Sequence, residues 1–348
     1  MYYLDILLKK NDDYFVIAEI GNNHQGDLNT AIKMIESAKQ CGVNAVKFQK
    51  RDNKTLFTDE FYSKPYSCNA SYGKTYGEHR EFLEFDKDQY ASLMAHARKI
   101  DILMFSTAFD KPSVDFLEDI GNPIYKVASA DLDNIPLLEY ISSTGKPIII
   151  STGAATMQQV EQAYNTVKQN YYPPTIMQCT CMYPVEYDKI NLNVIKRYKE
   201  IFPDSIIGYS GHESDILLPV LAYVLGARIL EKHFTLNKTW KGTDHKFSLD
   251  PDNLKEMMKN LELAKLSLGH NDKYLYKEEV ISREKMGKSL YANQNIKEGT
   301  IIRNSLVSVK SPSGKGLSPS MLKNIIGKRA KCDIECNQIL QMKSVNDE

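Results

Sequence analysis

Pro147-Ile148-Ile149-Ile150-Ser151-Thr152-Gly153 is the stretch that decides the fold. Three consecutive isoleucines leave no polar face, so a strand built from them must be covered on both sides, as in a parallel sheet sheathed by helices. Outward from it, short β-branched runs recur at 15–19, 45–49, 103–107, 124–128, 147–151, 175–179, 205–209 and 229–233. Gaps of about 20 to 30 residues separate most of them, and helical apolar spacing fills several, at 28–40, 90–99, 157–168 and 217–225. Strand and helix alternating in this way predict a closed parallel (β/α)8 TIM barrel. A doubly wound open sheet is the competitor, but no Gly-rich dinucleotide fingerprint follows the first run.

The chain has 348 residues, enough for one large domain with a small companion. Its 44 basic side chains equal its 44 acidic ones, so no global field draws nucleic acid or an anionic membrane, and any bound anion needs a local site. No apolar run nears the roughly 20 residues that cross a bilayer, and residues 1–10 lack the charged start and cleavage signal of a secretory peptide. The expected setting is the cytoplasm. Six scattered cysteines without a C-x-x-C pair argue against a disulfide framework and a structural zinc site. Cys179 and Cys181 are expected on one strand face as small buried hydrophobes.

Two segments break the alternation. Residues 51–85 are long, polar and rich in tyrosine, with Gly73-Lys74-Thr75-Tyr76-Gly77-Glu78-His79-Arg80 at their centre, which favours an ordered lid. After Leu268 the pattern turns polar, then to short strands with turn signals at 289–292, 300–302 and 307–310. The expected division is a catalytic barrel over 1–270, a linker over 271–286 and a small β domain over 287–348, with 345–348 as a frayed tail. At about 60 residues the last domain sits near the lower limit for a self-sufficient core, so it is expected to lean on a partner surface.

Nearly every predicted strand ends in residues suited to an anion, a metal or a sugar: Glu19, Lys47 with Gln49, Ser106 with Thr107, Lys126 with Ser129, Ser151 with Thr152, Tyr183, Ser210 with His212, and His233. In a parallel barrel these ends converge at one mouth, where an active site is expected. Lys47 and Lys126 lie in apolar strand sequence, where an unpaired ammonium would cost several kcal/mol. Internal carboxylates could satisfy them, but beside a ring of hydroxyls a phosphate and carboxylate cradle is the better reading. Ser151-Thr152-Gly153 before a helix adds backbone N–H groups suited to an oxyanion. His212 and His233 follow neighbouring strands and can share a divalent metal while leaving positions open for substrate. His24, His79 and His245 are expected near the same mouth, and His96 and His270 on helical or linker sequence.

Taken together, Ile17-Ala18-Glu19-Ile20-Gly21-Asn22-Asn23-His24, Val46-Lys47-Phe48-Gln49, Tyr125-Lys126-Val127-Ala128-Ser129, Ser151-Thr152-Gly153, His212, Glu231-Lys232-His233-Phe234 and Thr243-Asp244-His245 resemble the sialic acid synthase family. Gly287 onward resembles the antifreeze-like (SAF) β-clip domain that follows the barrel there. The resemblance implies condensation of phosphoenolpyruvate with an open-chain N-acylated amino sugar of the N-acetylmannosamine type, giving a nine-carbon α-keto acid and phosphate. It implies Mn2+, or Mg2+ or Co2+ in its place, on His212 and His233. It implies phosphoenolpyruvate on Lys47, Thr107, Lys126, Ser129, Ser151 and Ser210, the aldose on Gln49, Tyr183 and Asp244, and a homodimer with exchanged C-terminal domains. Glu19 is the candidate base.

Two departures stand out. Cys181 occupies a position where the family often has Asn, and Lys310-Ser311-Pro312 replaces a frequent Lys-Arg-Pro whose arginine reaches the neighbouring subunit's site, so Lys310 or Lys315 is expected to substitute. The aldose is left open among N-acetylmannosamine, its 6-phosphate and a bacillosamine-related sugar leading to legionaminic acid; for a 6-phosphate, Lys74 and Arg80 are the candidate basic groups. The alternatives are a phosphoenolpyruvate-dependent synthase of seven- or eight-carbon sugar acids and a barrel that binds sugar without turnover.

Overall fold

A computed structural model describes residues 13–168 and 172–345; residues 1–10, read above as lacking a secretory signal, and the end of the predicted tail, 346–348, lie outside them. Eight parallel strands close into a barrel in sequence order: β1 (Phe15–Gly21), β2 (Ala45–Lys50), β3 (Leu103–Ala108), β4 (Tyr125–Val127), β5 (Ile148–Ser151), β6 (Thr175–Cys179), β7 (Ile207–Gly211) and β8 (Ile229–His233), with β8 pairing back onto β1. The expected barrel is therefore present. β7 begins two residues later than its β-branched run suggests, because Ser205 is still in a turn, its N–H bonded to Phe202 O at 3.0 Å. Among the described residues no helix is long and apolar enough to cross a membrane.

The period of two along each strand separates two cores. Outward residues such as Val16, Val46, Val127, Ile150 and Leu230 pack with the helices, while Ile17, Phe105, Ile149, Met177 and Ile229 fill the barrel's interior. Helix Leu28–Gln40 shows how the outer layer forms: Asp27 caps it by accepting from Thr30 N, and Ala31, Met34, Ile35 and Ala38 make its buried stripe. Toward the C-terminal ends the inward positions change from apolar to polar, so the apolar plug becomes the floor of a polar mouth.

Residues 51–85 hold three short helices, Asn53–Leu56, Asp59–Ser63 and Tyr76–Leu83. Tyr76 knits them together, with ring centroids 5.2 Å from Phe57, 4.8 Å from Phe61 and 5.3 Å from Tyr66. The tyrosines that marked the segment in sequence are thus its packing.

The chain separates into Met1–Gly269 and His270–Glu348. In the second unit, part of the expected linker is a helix, Lys277–Met286, with acidic Glu278 and Glu279 in its first turn, basic Arg283 and Lys285 in its last, and no buried residue. Charge placement and capping make this helix without an apolar stripe. β9 (Ser289–Ala292) and β10 (Val307–Lys310) pair antiparallel, whereas the strand expected at 300–302 is a single bridge, Ile301 to Arg329. Leu290, Ile302, Ile325, Ile334 and Leu340 form this unit's own core. Val345, expected to fray, is buried and bridged to Ala330.

Candidate active site

The C-terminal strand ends open into a cavity of about 240 Å3, lined by the twelve residues given a catalytic, substrate or metal role above but not by Ser106 or Thr152. A second recess, about 250 Å3, lies at the other end by the start of β3. Its wall is mostly apolar, with Met94, Ala97, Ile102 and Pro123, and carries the charged Arg98 and Asp101, far from the strand ends that form the mouth.

Strand register assembles the mouth. Glu19 lies opposite Lys47 on β2 and His233 on β8, Thr107 opposite Lys126, and Ser210 opposite Glu231. At the centre are two carboxylates and two ammonium groups, all buried. Glu19 Oε2 is 2.7 Å from Lys47 Nζ, and Glu231 stands 3.7 Å from both Lys47 and Lys126. Lys47 also donates to Thr107 Oγ1 at 3.1 Å, Lys126 to Ser151 Oγ at 2.6 Å, and Ser210 Oγ to Glu231 Oε1 at 3.0 Å. The lysines therefore have carboxylate neighbours inside the protein, and the hydroxyls expected to bind ligand also complete this network. Glu231 has no assigned role in the sequence reading, yet its two-residue spacing from His233 puts both on the inner face of β8.

The environment sets the two carboxyls apart. Burial lifts Glu19 above its ordinary range despite Lys47. Burial also disfavours ionised Glu231, but Lys126 and Lys47 outweigh it and hold the pKa at about 2. Lys47 is pulled down by burial and raised, on balance, by Glu19 and Glu231, whereas for Lys126 burial prevails and lowers it. Glu19 is thus the carboxyl suited to exchange a proton, and Glu231 the fixed counter-charge.

The imidazoles of His212 and His233 face each other with centroids 5.4 Å apart. Burial pushes His212 down to about 3 and His233 down to about 4, so both are neutral. His212 Nδ1 donates to Thr180 O at 2.9 Å, which leaves its Nε2 lone pair free. His233 Nδ1 is buried without a hydrogen-bond partner, 3.8 Å from Asp244 Oδ2. Neutral imidazoles with available lone pairs fit a divalent metal. Among the described residues no group of three His, Cys, Asp or Glu side chains is arranged to hold a metal ion. Behind His212, the buried pair Lys232 Nζ to Glu213 Oε1, 2.9 Å, and the Tyr209 hydroxyl bonded to Glu213 at 2.8 Å anchor its loop. Tyr183 stands over His212, centroids 4.2 Å apart.

Some expectations change. Thr152 N–H bonds Met177 O at 3.2 Å, Gly153 N–H bonds Ser129 Oγ at 2.9 Å, and the next helix starts only at Met157, so these amides make no oxyanion pocket. Ser106 points outward by the strand period, its N–H on Asn122 Oδ1. Cys179 ends β6 in the cavity wall, but Cys181 lies beyond the strand and lines the cavity too, rather than packing as a core residue. His24 stacks on Phe85 at 4.2 Å and His245 bonds Thr235 Oγ1 at 2.7 Å, so both brace the mouth without lining the cavity. Gln49 is held between Glu19, 2.6 Å, and Arg51, 2.6 Å. Arg51 and Arg80 line the cavity, but Lys74 does not. Arg51 lies just past the end of β2, and its two-residue spacing from Gln49 is the sequence signal for its place in the cavity wall.

The profile of the NeuB family matches residues 34–273, and that of the SAF domain residues 287–346. The chain belongs to the NeuB family. This NeuB-family chain is 42% identical to human N-acetylneuraminate-9-phosphate synthase over 92% of its length and 89% of the human protein. It is 34% identical to the N,N'-diacetyllegionaminic acid synthase of Campylobacter jejuni, over 94% of this chain and 98% of that one. The crystal structure of N-acetylneuraminic acid (sialic acid) synthetase from Leptospira borgpetersenii, in complex with citrate, superposes with a TM-score of 0.68 at 33% identity, over 78% of this chain and 90% of that one.

Proposed function

We propose that the protein joins phosphoenolpyruvate to an open-chain N-acylated amino sugar of the N-acetylmannosamine type, forming a nine-carbon α-keto acid and releasing inorganic phosphate. The observation that carries this reading is the Glu19–Lys47–Glu231–Lys126 network beside two neutral imidazoles at one barrel mouth. The names of the relatives support the reaction class. Lys47 and Lys126, with Thr107, Ser129, Ser151 and Ser210 around them, would receive the carboxylate and phosphate of phosphoenolpyruvate, trading internal partners for ligand oxygens. Its methylene carbon forms the new bond to the aldehyde carbon, and water adds to the phosphate-bearing carbon before the C–O bond to phosphate breaks. Glu19, raised by burial and held by Lys47 and Gln49, would take the proton from that water. Asp244 and Tyr183 would meet the sugar at the rim.

His212 and His233 would hold a divalent cation, Mn2+ first with Mg2+ or Co2+ as alternatives, whose chemistry there is to polarise the aldehyde oxygen. A homodimer with exchanged C-terminal domains also belongs to this reading, with Lys310 or Lys315 reaching the partner's sugar, as does a cytoplasmic setting, which suits six unpaired cysteines.

The test is phosphate release from phosphoenolpyruvate with Mn2+ and a panel of aldoses. Wild-type protein is expected to turn over an N-acylmannosamine, and Glu19→Gln to lose about 10²–10⁴-fold in kcat while still binding phosphoenolpyruvate. No release with any aldose, or full activity after chelation of every divalent ion, overturns the reading; a monomer by light scattering at micromolar concentration overturns the dimer.

A further inference from the structure

We propose that Tyr72 is a positioning residue: its hydroxyl ties the lid at 51–85 to the loop that follows β8 and thereby holds Asp244 toward the sugar, a role that rests on the condensation reading above. The Tyr72 hydroxyl donates to Lys241 O at 2.5 Å, and Gln25 Nε2, from the loop after β1, donates to the same oxygen at 2.7 Å. One carbonyl with two lone pairs thus joins three segments that are distant in the chain. Among the described residues no other hydrogen bond and no ion pair links the lid to this loop. The lid's ion pairs, Glu84 with Lys50 and Arg51, stay on the β2 side. Arg80 and Asp244 both line the catalytic cavity, but Arg80 spends Nε and Nη2 on the Tyr76 hydroxyl, at 3.0 and 2.8 Å, and among the described residues no carboxylate pairs with it.

Tyr72 is fixed in the pose from which it donates. Its ring stacks on Phe82, with centroids 4.8 Å and planes 6° apart, and its backbone N–H donates to Nδ1 of the buried His79 at 3.1 Å. Phe82 and His79 both belong to the lid helix Tyr76–Leu83, so the ring moves with that helix. The Lys241 ammonium lies 4.6 Å from the centroid of the Tyr72 ring, a cation–π contact that adds to the hydrogen bond on its carbonyl. Ring stacking and this contact do not need the hydroxyl, so Tyr72→Phe removes the tie to the carbonyl alone.

The tie reaches Asp244 through three residues of tight loop. At Gly242 a Cβ would stand 2.7 Å from the His245 ring, so the chain has no slack there. On the far side Asp244 O accepts from Ser248 Oγ at 2.7 Å, and His245 is bonded to Thr235. The loop is therefore pinned at Lys241 and again at 244–248, with the Thr243 and Asp244 side chains presented to the cavity between the pins. Thr243 Oγ1 donates to Asp244 Oδ1 at 2.7 Å, which leaves Oδ2 as the oxygen facing His233, 3.8 Å away. Loss of the Lys241 pin loosens this carboxylate, whereas Lys47, Lys126 and Ser151 sit on β2, β4 and β5 and stay in place.

The experiment compares full-length wild type with Tyr72→Phe and with Tyr62→Phe, a control whose hydroxyl bonds Glu81 within the lid. Trp240, the chain's single tryptophan, is half-buried beside Lys241 and reports the loop directly. Acrylamide is expected to quench Trp240 fluorescence more steeply in Tyr72→Phe than in the other two proteins. In the same variant KM for the N-acylmannosamine is expected to rise about 3- to 10-fold, with kcat and KM for phosphoenolpyruvate within about twofold of wild type. Added to Asp244→Asn, Tyr72→Phe should weaken the aldose no further, by KM or by calorimetric binding, because its effect runs through Asp244. An unchanged KM for the aldose overturns the role whatever Trp240 shows. So do equal rises in KM for both substrates, an equal effect of Tyr62→Phe, or full additivity with Asp244→Asn. If wild-type protein turns over no aldose, the condensation reading fails separately; steeper quenching in Tyr72→Phe alone then upholds the tie, and equal quenching in all three proteins overturns it.

Discussion

Replacing Glu231 by Gln changes almost no volume but removes the charge that lies between two buried ammonium groups. Unit charges 3.7 Å apart attract by about 4 kcal/mol at an effective dielectric near 20. Lys47 keeps Glu19 at 2.7 Å, so the loss falls mainly on Lys126, whose remaining contact in the network is the neutral Ser151 hydroxyl. Breaking a buried pair from one side costs about 3–5 kcal/mol, a large part of the roughly 5–15 kcal/mol that stabilises a domain. Urea unfolding followed by circular dichroism, at neutral pH, should show the midpoint lowered by about 1 M or more. Saturating phosphoenolpyruvate should then raise the midpoint of Glu231→Gln by more than it raises that of wild type, because the ligand's charge replaces the missing carboxylate. A variant that unfolds within about 0.2 M of wild type, or gains no more than wild type from the ligand, refutes the counter-charge role.

Two further outcomes follow from the cavity wall. Gly153→Ala would place a Cβ 2.4 Å from Cys181 Sγ and 2.9 Å from Ser129 Oγ, so it should raise KM for phosphoenolpyruvate and lower stability by about 1–3 kcal/mol, with Cys181→Ala in the same chain restoring much of both. Cys181, whose thiolate the Cys179 thiol stabilises down to about 6, should be alkylated by iodoacetamide with a rate that rises through pH 6 and levels by pH 8. Peptide mass mapping of the label, with a rate that instead climbs steadily past pH 8, would show an ordinary thiol.

Much of the site was legible because a barrel converts strand ends into neighbours. Glu19, Lys47, Lys126, Ser210 and His233 were each recognisable as polar residues closing an apolar run, and the fold did the rest. What was not legible was how they share charge. Sequence suggested that the two lysines wait for a ligand, but Glu19 and Glu231 approach them from β1 and β8, elements distant in the chain from β2 and β4. The N–H groups of Thr152 and Gly153 looked available for an oxyanion until Met177 and Ser129 were found against them. Likewise the helix at Lys277–Met286 has no apolar period to announce it, since it buries nothing.

The chain's order of residues by itself determined the (β/α)8 architecture, because runs such as Ile148-Ile149-Ile150 demand cover on both faces and the helical stripes between strands supply it. It also determined most of the strand residues that reach the mouth, since a period of two assigns inner and outer faces, though not those such as Arg51 and Arg80 that enter from the loops. Only the tertiary structure decided which carboxyl burial lifts, which is held ionised between two ammonium groups and which cation is left without a carboxylate. Protonation and pairing depend on burial and on distances of a few ångströms between groups contributed by separate strands, as between Glu19 and Lys47, or left unmade, as around Arg80.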